Sequence, residues 1–316
     1  MKIIAVTPAR NEARLLPSFL TFLSSFADYI IIADQESTDG STEIYKQFPK
    51  VSVIQNHRPS HSNEVRWDLL TKAREIEGEN IIVCLDVDER IPAHSVPLII
   101  DHLKQKGSGF NVSLPWIQLW KKPEVYRTDW PWGNNYKACI FYDDRIMSYE
   151  QSVVINDHTN RIPTITAEKN TILPSPLLHL QYLYWNEVQL KQAWYRCKEY
   201  IADPTKIKAI NLKYESSLDT SRTKLSATPP EWIDEKSFIP TNIVETTNPW
   251  HLQELHEMFK THSIAYFEPI DMWHIQTLQQ EFQTQVGRKP HPTRYNSILR
   301  TLYYILQSIR QNLKHQ

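Results

Sequence analysis

Apolar runs alternate with segments of helical periodicity over the first hundred residues of the chain. The runs predict four strands, at residues 2–6, 29–33, 51–55 and 81–85. Apolar side chains at helical spacing predict three intervening helices, at residues 11–26, 41–47 and 63–76. Strands that are apolar throughout and separated by helices are typical of a parallel sheet covered by helices on both faces. The pattern therefore predicts an α/β fold.

The pattern becomes less regular after residue 100. Strand-like runs at 109–114, 138–141 and 152–155 are interrupted by Pro, Asn and aromatic residues. A helical pattern covers residues 179–201 and stops at Asp203-Pro204, because proline disfavours a helical conformation in the residue before it. We predict one domain over residues 1–202, divided near residue 100 into two halves, and a loop-rich and helical extension over residues 203–316.

The last part of that extension, residues 295–314, combines basic residues with an apolar face. Two interpretations of this amphipathic helix stay open: it packs on its own domain, or it makes a peripheral contact with the inner face of the cell membrane. No run of about 18 apolar residues is present, so we expect no membrane-spanning helix. The N-terminus lacks the pattern of a secretory signal.

Composition narrows the classes of function. The formal net charge of −1 argues against a nucleic-acid partner, since such proteins usually carry a basic excess. The three cysteines, Cys84, Cys139 and Cys197, form no CxxC pair, and we expect them to be inert buried thiols of a cytoplasmic protein. The scattered histidines form no HExxH or other zinc-binding pattern.

The sequence Asp86-Val87-Asp88-Glu89 directly follows the fourth predicted strand. Ligands of open α/β sheets bind at the carboxyl ends of the strands, which is where this sequence places Asp86 and Asp88. Cations such as Mg²⁺ and Mn²⁺ prefer oxygen ligands and often combine one or two carboxylates with substrate phosphates. Exposed loops also carry such acidic pairs, but the apolar run before this pair favours a metal site.

Polar residues follow the first two predicted strands as well. The first loop begins Thr7-Pro8-Ala9-Arg10-Asn11-Glu12, in which Arg10 could meet a phosphate and Asn11 could cap the next helix. The second loop begins at Asp34, which is placed to accept hydrogen bonds from a ribose or a base. It ends at Asp39-Gly40-Ser41, which predicts a turn and a helix cap.

These three segments occur in the order and spacing found in a known family. Pro8-Ala9-Arg10-Asn11-Glu12, the stretch from Asp34 through Ser37-Thr38-Asp39-Gly40-Ser41, and Leu85-Asp86-Val87-Asp88-Glu89 resemble the motifs of family 2 glycosyltransferases with the GT-A fold. The resemblance covers residues 1–100 well and extends loosely to about residue 200. Gln35-Glu36 departs from the family pattern, in which an acid and a small residue are common.

The resemblance implies a GT-A fold with a nucleotide-sugar-binding half over residues 1–100 and an acceptor half over residues 101–202. It also implies an enzyme that moves a sugar from a nucleotide-sugar donor to a hydroxyl of a glycan or glycolipid acceptor, with inversion of the anomeric carbon. Surface polysaccharide or lipopolysaccharide synthesis is the setting that it suggests. Mn²⁺ or Mg²⁺ is the implied cofactor.

The resemblance also implies roles for the matching donor-side residues. The nucleoside pocket would be lined by Pro8, Arg10, Glu12 and Asp34. Asp86 would lie near the ribose and the metal, and Asp88 would hold the metal on the diphosphate. Arg66 matches a helix position from which these enzymes often present an arginine to the donor; a solvated helix charge is the alternative.

Two further positions are expected on the acceptor side. His179 is similar in placement to a histidine that adds a metal ligand in some GT-A enzymes, and a structural histidine is the alternative. Inverting transfer needs a base to take the proton of the acceptor hydroxyl. The candidates are Asp143, Asp144, Glu150, Asp157 and His158. We select Asp157, which resembles the acid that follows this strand in related transferases, and we assign Asp143-Asp144 to a turn.

Two other functions are compatible with the same sheet. A sugar nucleotidyltransferase would also need acids for a metal, but a glycine-rich first loop is expected there, and residues 7–12 contain no glycine. A non-catalytic nucleotide-sugar-binding protein on a transferase scaffold is the other alternative, against which the intact pair of Asp86 and Asp88 argues.

Overall fold

The computed structural model describes residues 1–58, 63–129, 132–148, 161–163, 167–220, 223–246, 249–291 and 305. Its described residues form two compact units. The first consists of Met1–Arg127, Trp132–Leu180 and Leu225–Asn242, and the second is built mainly from Gln181–Lys224 and the segment from Ile243 onward. The structure thus groups the helix that ends at Ala202 with the C-terminal segments, whereas the sequence analysis placed a boundary after it.

The strands of the first unit occupy the following bounds: β1 (Lys2–Ala9), β2 (Tyr29–Asp34), β3 (Val51–Gln55), β4 (Asn80–Cys84), β5 (Glu89–Arg90), β6 (Asn111–Gln118), β7 (Val125–Arg127), β8 (Tyr136–Asp143), β9 (Asn170–Ile172), β10 (Leu177–His179) and β11 (Leu225–Ala227). Its helices are α1 (Leu16–Ser24), α2 (Ser41–Tyr45), α3 (Asn63–Arg74) and α4 (Ser95–Lys106).

One sheet runs through the first unit in the order β3-β2-β1-β4-β8-β6-β10-β5, with β9 paired to β6. The four N-terminal strands are parallel to one another, whereas β8 is antiparallel to both β4 and β6. The centre of the sheet is mostly apolar, as in β4, where all five residues are buried and four of them are apolar. The predicted α/β class with a mostly parallel sheet is confirmed.

The four strands and three helices predicted over the first hundred residues are all present. Two predicted helix starts are wrong, one in this region and one at His179. The first helix begins at Leu16 and not at Asn11, because Asn11 has a positive φ of 55° and Pro17 lies in the first helical turn. His179 ends strand β10 and does not begin a helix; the helix begins six residues later. Helix α4 was not predicted.

The second unit is helical among its described residues. It contains α5 (Trp185–Ala202), α6 (Ile207–Lys213), α7 (Glu215–Leu218), α8 (Trp250–His262) and α9 (Gln276–Val286). Its core includes Trp194, Leu255, Phe267 and Phe282. The buried guanidinium of Arg196 donates to the backbone carbonyls of Asp271 at 2.5 Å and Asn211 at 3.3 Å, which joins α5 to two later segments.

Two predictions about the chain as a whole can be compared with the described residues. All three cysteines are buried there, as predicted, and burial raises the pKa of the Cys84 thiol to about 12. Within the same residues, no helix combines the length and the apolar character that are needed to cross a bilayer. The predicted amphipathic segment 295–314 lies, apart from residue 305, outside the described residues.

Candidate active site

Strand pairing brings the three sequence motifs to one edge of the sheet. β1 lies between β2 and β4 and is parallel to both, so all three strands end on the same side. The loops that begin at Arg10, Gln35 and Leu85 therefore leave the sheet next to one another. This is the edge at which open α/β sheets bind their ligands.

Hydrogen bonds between side chains and backbone tie the first loop to the second. Asn11 Oδ1 accepts from the Thr38 N–H at 2.8 Å, and the Asn11 N–H donates to Ser37 Oγ at 2.9 Å. Asp39 Oδ2 accepts from the Ala13 N–H at 2.8 Å. Asn11 thus joins the two loops and does not cap α1. Arg10 and Glu12 lie in the first loop, and Pro8 lies near the end of β1; all three side chains are half-buried.

Asp34 is almost fully buried at the end of β2, and its carboxylate organises the second loop. Its Oδ2 accepts from the Ser37 N–H at 3.0 Å, and its Oδ1 accepts from the Tyr45 hydroxyl at 2.9 Å. Burial and the neighbouring charge of Asp34 raise the pKa of Tyr45, so the phenol stays protonated and donates. Because both oxygens are engaged, a contact with the nucleoside stays a prediction for Asp34.

Asp86 lies between two arginines. Its Oδ1 accepts from Arg66 Nη2 at 2.7 Å, and its Oδ2 lies 2.8 Å from Arg161 Nη2. Burial acts to raise the pKa of Asp86, but the charges of Arg161 and Arg66 outweigh it and hold that pKa well below the usual range. Arg66 itself is buried, so the alternative of a solvated helix charge is wrong.

Glu89 is a fully buried carboxylate that the sequence analysis did not single out. Its Oε2 accepts from the backbone N–H of Asp86 at 3.1 Å and from Arg161, and its Oε1 accepts from the indole N–H of Trp116 at 2.8 Å. Three donors therefore satisfy its charge. The sequence shows an acid directly after Asp88, but it does not show the partners of Glu89, which lie up to 72 residues away along the chain.

Asp88 and His179 are brought together by the sheet. His179 is paired with Glu89 in the antiparallel ladder of β10 and β5, and the Leu180 N–H donates to the Asp88 carbonyl at 2.8 Å. The His179 Nε2 then lies 3.0 Å from Asp88 Oδ2, while its Nδ1 lies 2.5 Å from Gln118 Oε1. The Trp116 ring lies against the imidazole, with centroids 4.6 Å apart.

The chemistry of this pair fits a divalent cation. A carboxylate oxygen and an imidazole nitrogen at such a separation can bind one ion together. Among the described residues, no group of three or more His, Cys, Asp or Glu side chains gathers around one point. Two protein ligands suffice for Mg²⁺-like ions, which usually complete their coordination with water and substrate phosphates.

The described base candidates have structural roles. Asp143 accepts from Arg74 through both oxygens, at 2.6 and 2.8 Å. Asp144 Oδ1 accepts from the backbone N–H groups of Ile146 and Met147. Asp143 ends strand β8, so the assignment of both residues to a turn is wrong for Asp143. Asp157 lies outside the described residues, as do Glu150 and His158.

Comparison with known proteins identifies the family. The family model described as glycosyl transferase family 2 matches residues 4–161, which is half of the chain. The chain belongs to this family. The match includes both loops, Asp86, Asp88 and Arg161, and it confirms the family that the motifs predicted.

Two curated relatives match a short segment of the chain. An uncharacterized protein of Mycobacterium bovis and one of Mycobacterium tuberculosis are each 39% identical over 59 residues. That segment is 19% of this chain and 14% of each relative, so the chain matches only a small part of their length.

Solved structures resemble the chain at low identity. The S. aureus TarS 1-349 structure is 13% identical with a TM-score of 0.39, over 91% of this chain and 86% of that one. A structure of 4-diphosphocytidyl-2C-methyl-D-erythritol synthase is 15% identical with a TM-score of 0.32, over 45% of this chain and 73% of that one. These TM-scores are too low to transfer a function.

Proposed function

We propose that this member of glycosyl transferase family 2 is a metal-dependent, inverting glycosyltransferase that moves a sugar from a nucleotide-sugar donor to an acceptor hydroxyl. The observation that carries the proposal is the pairing of Asp88 Oδ2 with His179 Nε2 at 3.0 Å, beside the ion-pair cluster of Asp86, Glu89, Arg66 and Arg161. A carboxylate and an imidazole this close together can hold a divalent cation beside the diphosphate of the donor.

The donor-side residues divide into two groups. Pro8, Arg10, Glu12 and Asp34 line the nucleoside part of the pocket, at the ends of β1 and β2 and on the first of the two loops that hydrogen bonds join. Asp88 and His179 hold Mn²⁺ or Mg²⁺, which supplies positive charge to the diphosphate that leaves. Asp86 lies between these groups, near the ribose.

Arg66 contributes a second positive charge at the leaving group. Its Nη2 donates to Asp86, while its Nη1 is buried and has no hydrogen-bond partner among the described residues. A buried donor of this kind is costly unless a ligand satisfies it. A phosphate oxygen of the donor is the partner that we assign to it, and such a fixed cation stabilises charge that develops in the transition state.

The acceptor hydroxyl attacks the anomeric carbon from the face opposite the leaving diphosphate, which inverts that carbon. As its proton leaves, Asp157 accepts it as the general base. The structural roles of Asp143 and Asp144 support this choice, because neither carboxylate is available to an acceptor.

The acceptor is a glycan or glycolipid, and the setting is the synthesis of surface polysaccharide or lipopolysaccharide. We place the protein in the cytoplasm, with a peripheral contact to the inner face of the membrane through residues 295–314. The basic residues of that segment, including Arg300, Arg310 and Lys314, support an attraction to anionic lipids.

A turnover assay tests the proposal. The protein is incubated with UDP-sugars and GDP-sugars, with Mn²⁺ or with a chelator, and release of the nucleoside diphosphate is measured. We expect release with at least one donor, only with metal, and its loss in Asp88→Asn. Asp101→Asn, which alters an exposed acid on α4, is the matched control and should retain it.

Other outcomes identify the alternatives. Binding of a nucleotide-sugar without any release, even with acceptor glycans present, would indicate a non-catalytic binding protein. Formation of pyrophosphate from a nucleoside triphosphate and a sugar 1-phosphate would indicate a nucleotidyltransferase. Either result contradicts the proposed function.

A further inference from the structure

Gln118 is a fully buried polar residue at the end of β6, and its side chain contacts the imidazole of His179. The two residues are register partners in the parallel ladder of β6 and β10, so their side chains lie on the same face. Gln118 Oε1 lies 2.5 Å from His179 Nδ1. An amide oxygen only accepts hydrogen bonds, so in this orientation Nδ1 carries a proton and donates it.

Trp116 holds the same imidazole from a second direction. It lies two residues before Gln118 on the strand, and alternate strand residues share a face. Its ring lies 4.6 Å from the His179 ring, centroid to centroid. The indole is itself fixed, because its N–H donates to the buried Glu89 at 2.8 Å. The ring contact and the hydrogen bond together hold the imidazole with its Nε2 directed at Asp88.

We propose that Gln118 is a positioning residue, which accepts the Nδ1–H of His179 and thereby presents Nε2, beside Asp88, to the divalent cation. This inference rests on the proposed function, since it assigns a role at the same metal site. Histidines that bind metals usually donate their other ring N–H to an acceptor, which fixes the tautomer and the orientation of the ring.

The burial of Gln118 supports a specific role. Its Nε2 has no hydrogen-bond partner among the described residues, and an unsatisfied buried donor costs roughly 1–3 kcal/mol. An apolar residue would avoid that cost at a strand position that faces the interior. The contact between Oε1 and Nδ1 is what a glutamine provides there and a leucine or methionine does not.

Two substitutions separate positioning from packing. Gln118→Met keeps the volume and removes the acceptor, whereas Gln118→Glu keeps an acceptor and adds a buried charge. If Gln118 positions His179, Mn²⁺ affinity measured by electron paramagnetic resonance with UDP present should fall about 10-fold or more in Gln118→Met and stay within about 3-fold of wild type in Gln118→Glu. If Gln118 only packs, the order is reversed, and the inference is overturned.

Thermal unfolding shows whether each variant is folded. If a variant is not, a measurement on the wild type tests the same inference. The histidines are labelled with ¹⁵N, and the protein is saturated with Mg²⁺ and UDP at pH 8. The His179 signals are identified by their loss in His179→Gln. We expect Nδ1 to carry the proton, and an unprotonated Nδ1 would overturn the inference.

The proposed function and the proposed role of Gln118 are contradicted by different results. Wild-type protein that binds no Mn²⁺ would contradict the metal-dependent function, and with it the cation that Gln118 is said to serve. Wild-type protein that binds Mn²⁺, with equally tight binding in Gln118→Met, would contradict the role of Gln118 alone.

Discussion

The carboxylate of Asp88 and the imidazole of His179 lie 3.0 Å apart, although 91 residues separate them along the chain. Their approach follows from backbone pairing, because β10 runs antiparallel to the two-residue strand that begins directly after Asp88. His179 ends β10, and Asp88 lies in the turn directly before β5. Strand pairing therefore places the two candidate metal ligands beside each other.

Glu89 should be a major contributor to the stability of this region. In Glu89→Gln, the buried Arg161 loses one of its two carboxylate partners, and a neutral amide faces three donors. Removal of one partner of a buried ion pair typically costs about 3–5 kcal/mol, so we expect the free energy of unfolding to fall by about 3 kcal/mol. Urea denaturation measures this change.

The control for that experiment is Glu43→Gln, which alters an exposed acid paired with Lys46. Its effect should stay within about 0.5 kcal/mol. A loss below about 1 kcal/mol in Glu89→Gln would show that its carboxylate does not hold the cluster together.

Asn11 should stabilise the first two loops. Asn11→Ala removes the acceptor of the Thr38 N–H and places alanine at a φ of 55°. A hydrogen bond contributes about 1 kcal/mol, and alanine lacks the short polar side chain with which asparagine tolerates the left-handed conformation, so we expect a loss of about 2 kcal/mol.

Asn11→Gly separates the two effects, because glycine adopts a positive φ without strain but provides no acceptor. Its loss in the free energy of unfolding, measured in the same way, should be smaller than that of Asn11→Ala. If Asn11→Gly lowers the free energy of unfolding more than Asn11→Ala does, backbone strain does not explain the cost of the alanine substitution.

The sequence predicted the donor-side half of the sheet well, because its strands are continuous apolar runs and its loops carry recognisable residues. The resemblance also directed attention to Arg66 as a donor contact, but its ion pair with Asp86 was not predicted. The sequence did not reveal Trp116, Gln118 or Arg161. Each reaches the site through pairings or contacts more than 25 residues away along the chain.

The helix start predicted at His179 was wrong because periodicity is ambiguous there. Two leucines precede the histidine in β10, and Leu180, Tyr182 and Leu183 follow it, so strand and helix cannot be separated by pattern alone. The loop motif was also assigned too simply. Asp39 was expected only in a turn and cap, whereas its Oδ2 also accepts from the Ala13 N–H of the first loop.

Glu268 in the second unit should make stability depend on acid pH. Hydrogen bonds from Arg288 and from the His291 N–H lower the pKa of Glu268 to about 2, below the ordinary glutamate value of about 4.3. A depressed pKa gives stability that is complete above the unfolded value and is lost as pH falls through the folded one. The Glu268 contribution should therefore vanish between about pH 4.5 and pH 2.

The measurement compares Glu268→Gln with wild type by urea denaturation at several pH values. We expect a difference of about 1 kcal/mol at pH 5, as for a partly exposed pair, which shrinks toward zero near pH 2. Glu257→Gln, at an exposed acid on α8, is the control and should show little difference at any pH. A difference that persists or grows at pH 2 would contradict the assignment.

Calorimetric titration with UDP and GDP, with and without Mn²⁺, tests the central claim most directly. It is carried out on wild type, on Asp88→Ala and on the surface control Asp101→Asn. The account predicts that one diphosphate binds wild type and the control only when Mn²⁺ is present, and that Asp88→Ala abolishes this binding. Binding that ignores both the metal and Asp88, or no binding of either diphosphate, would contradict the donor site described above.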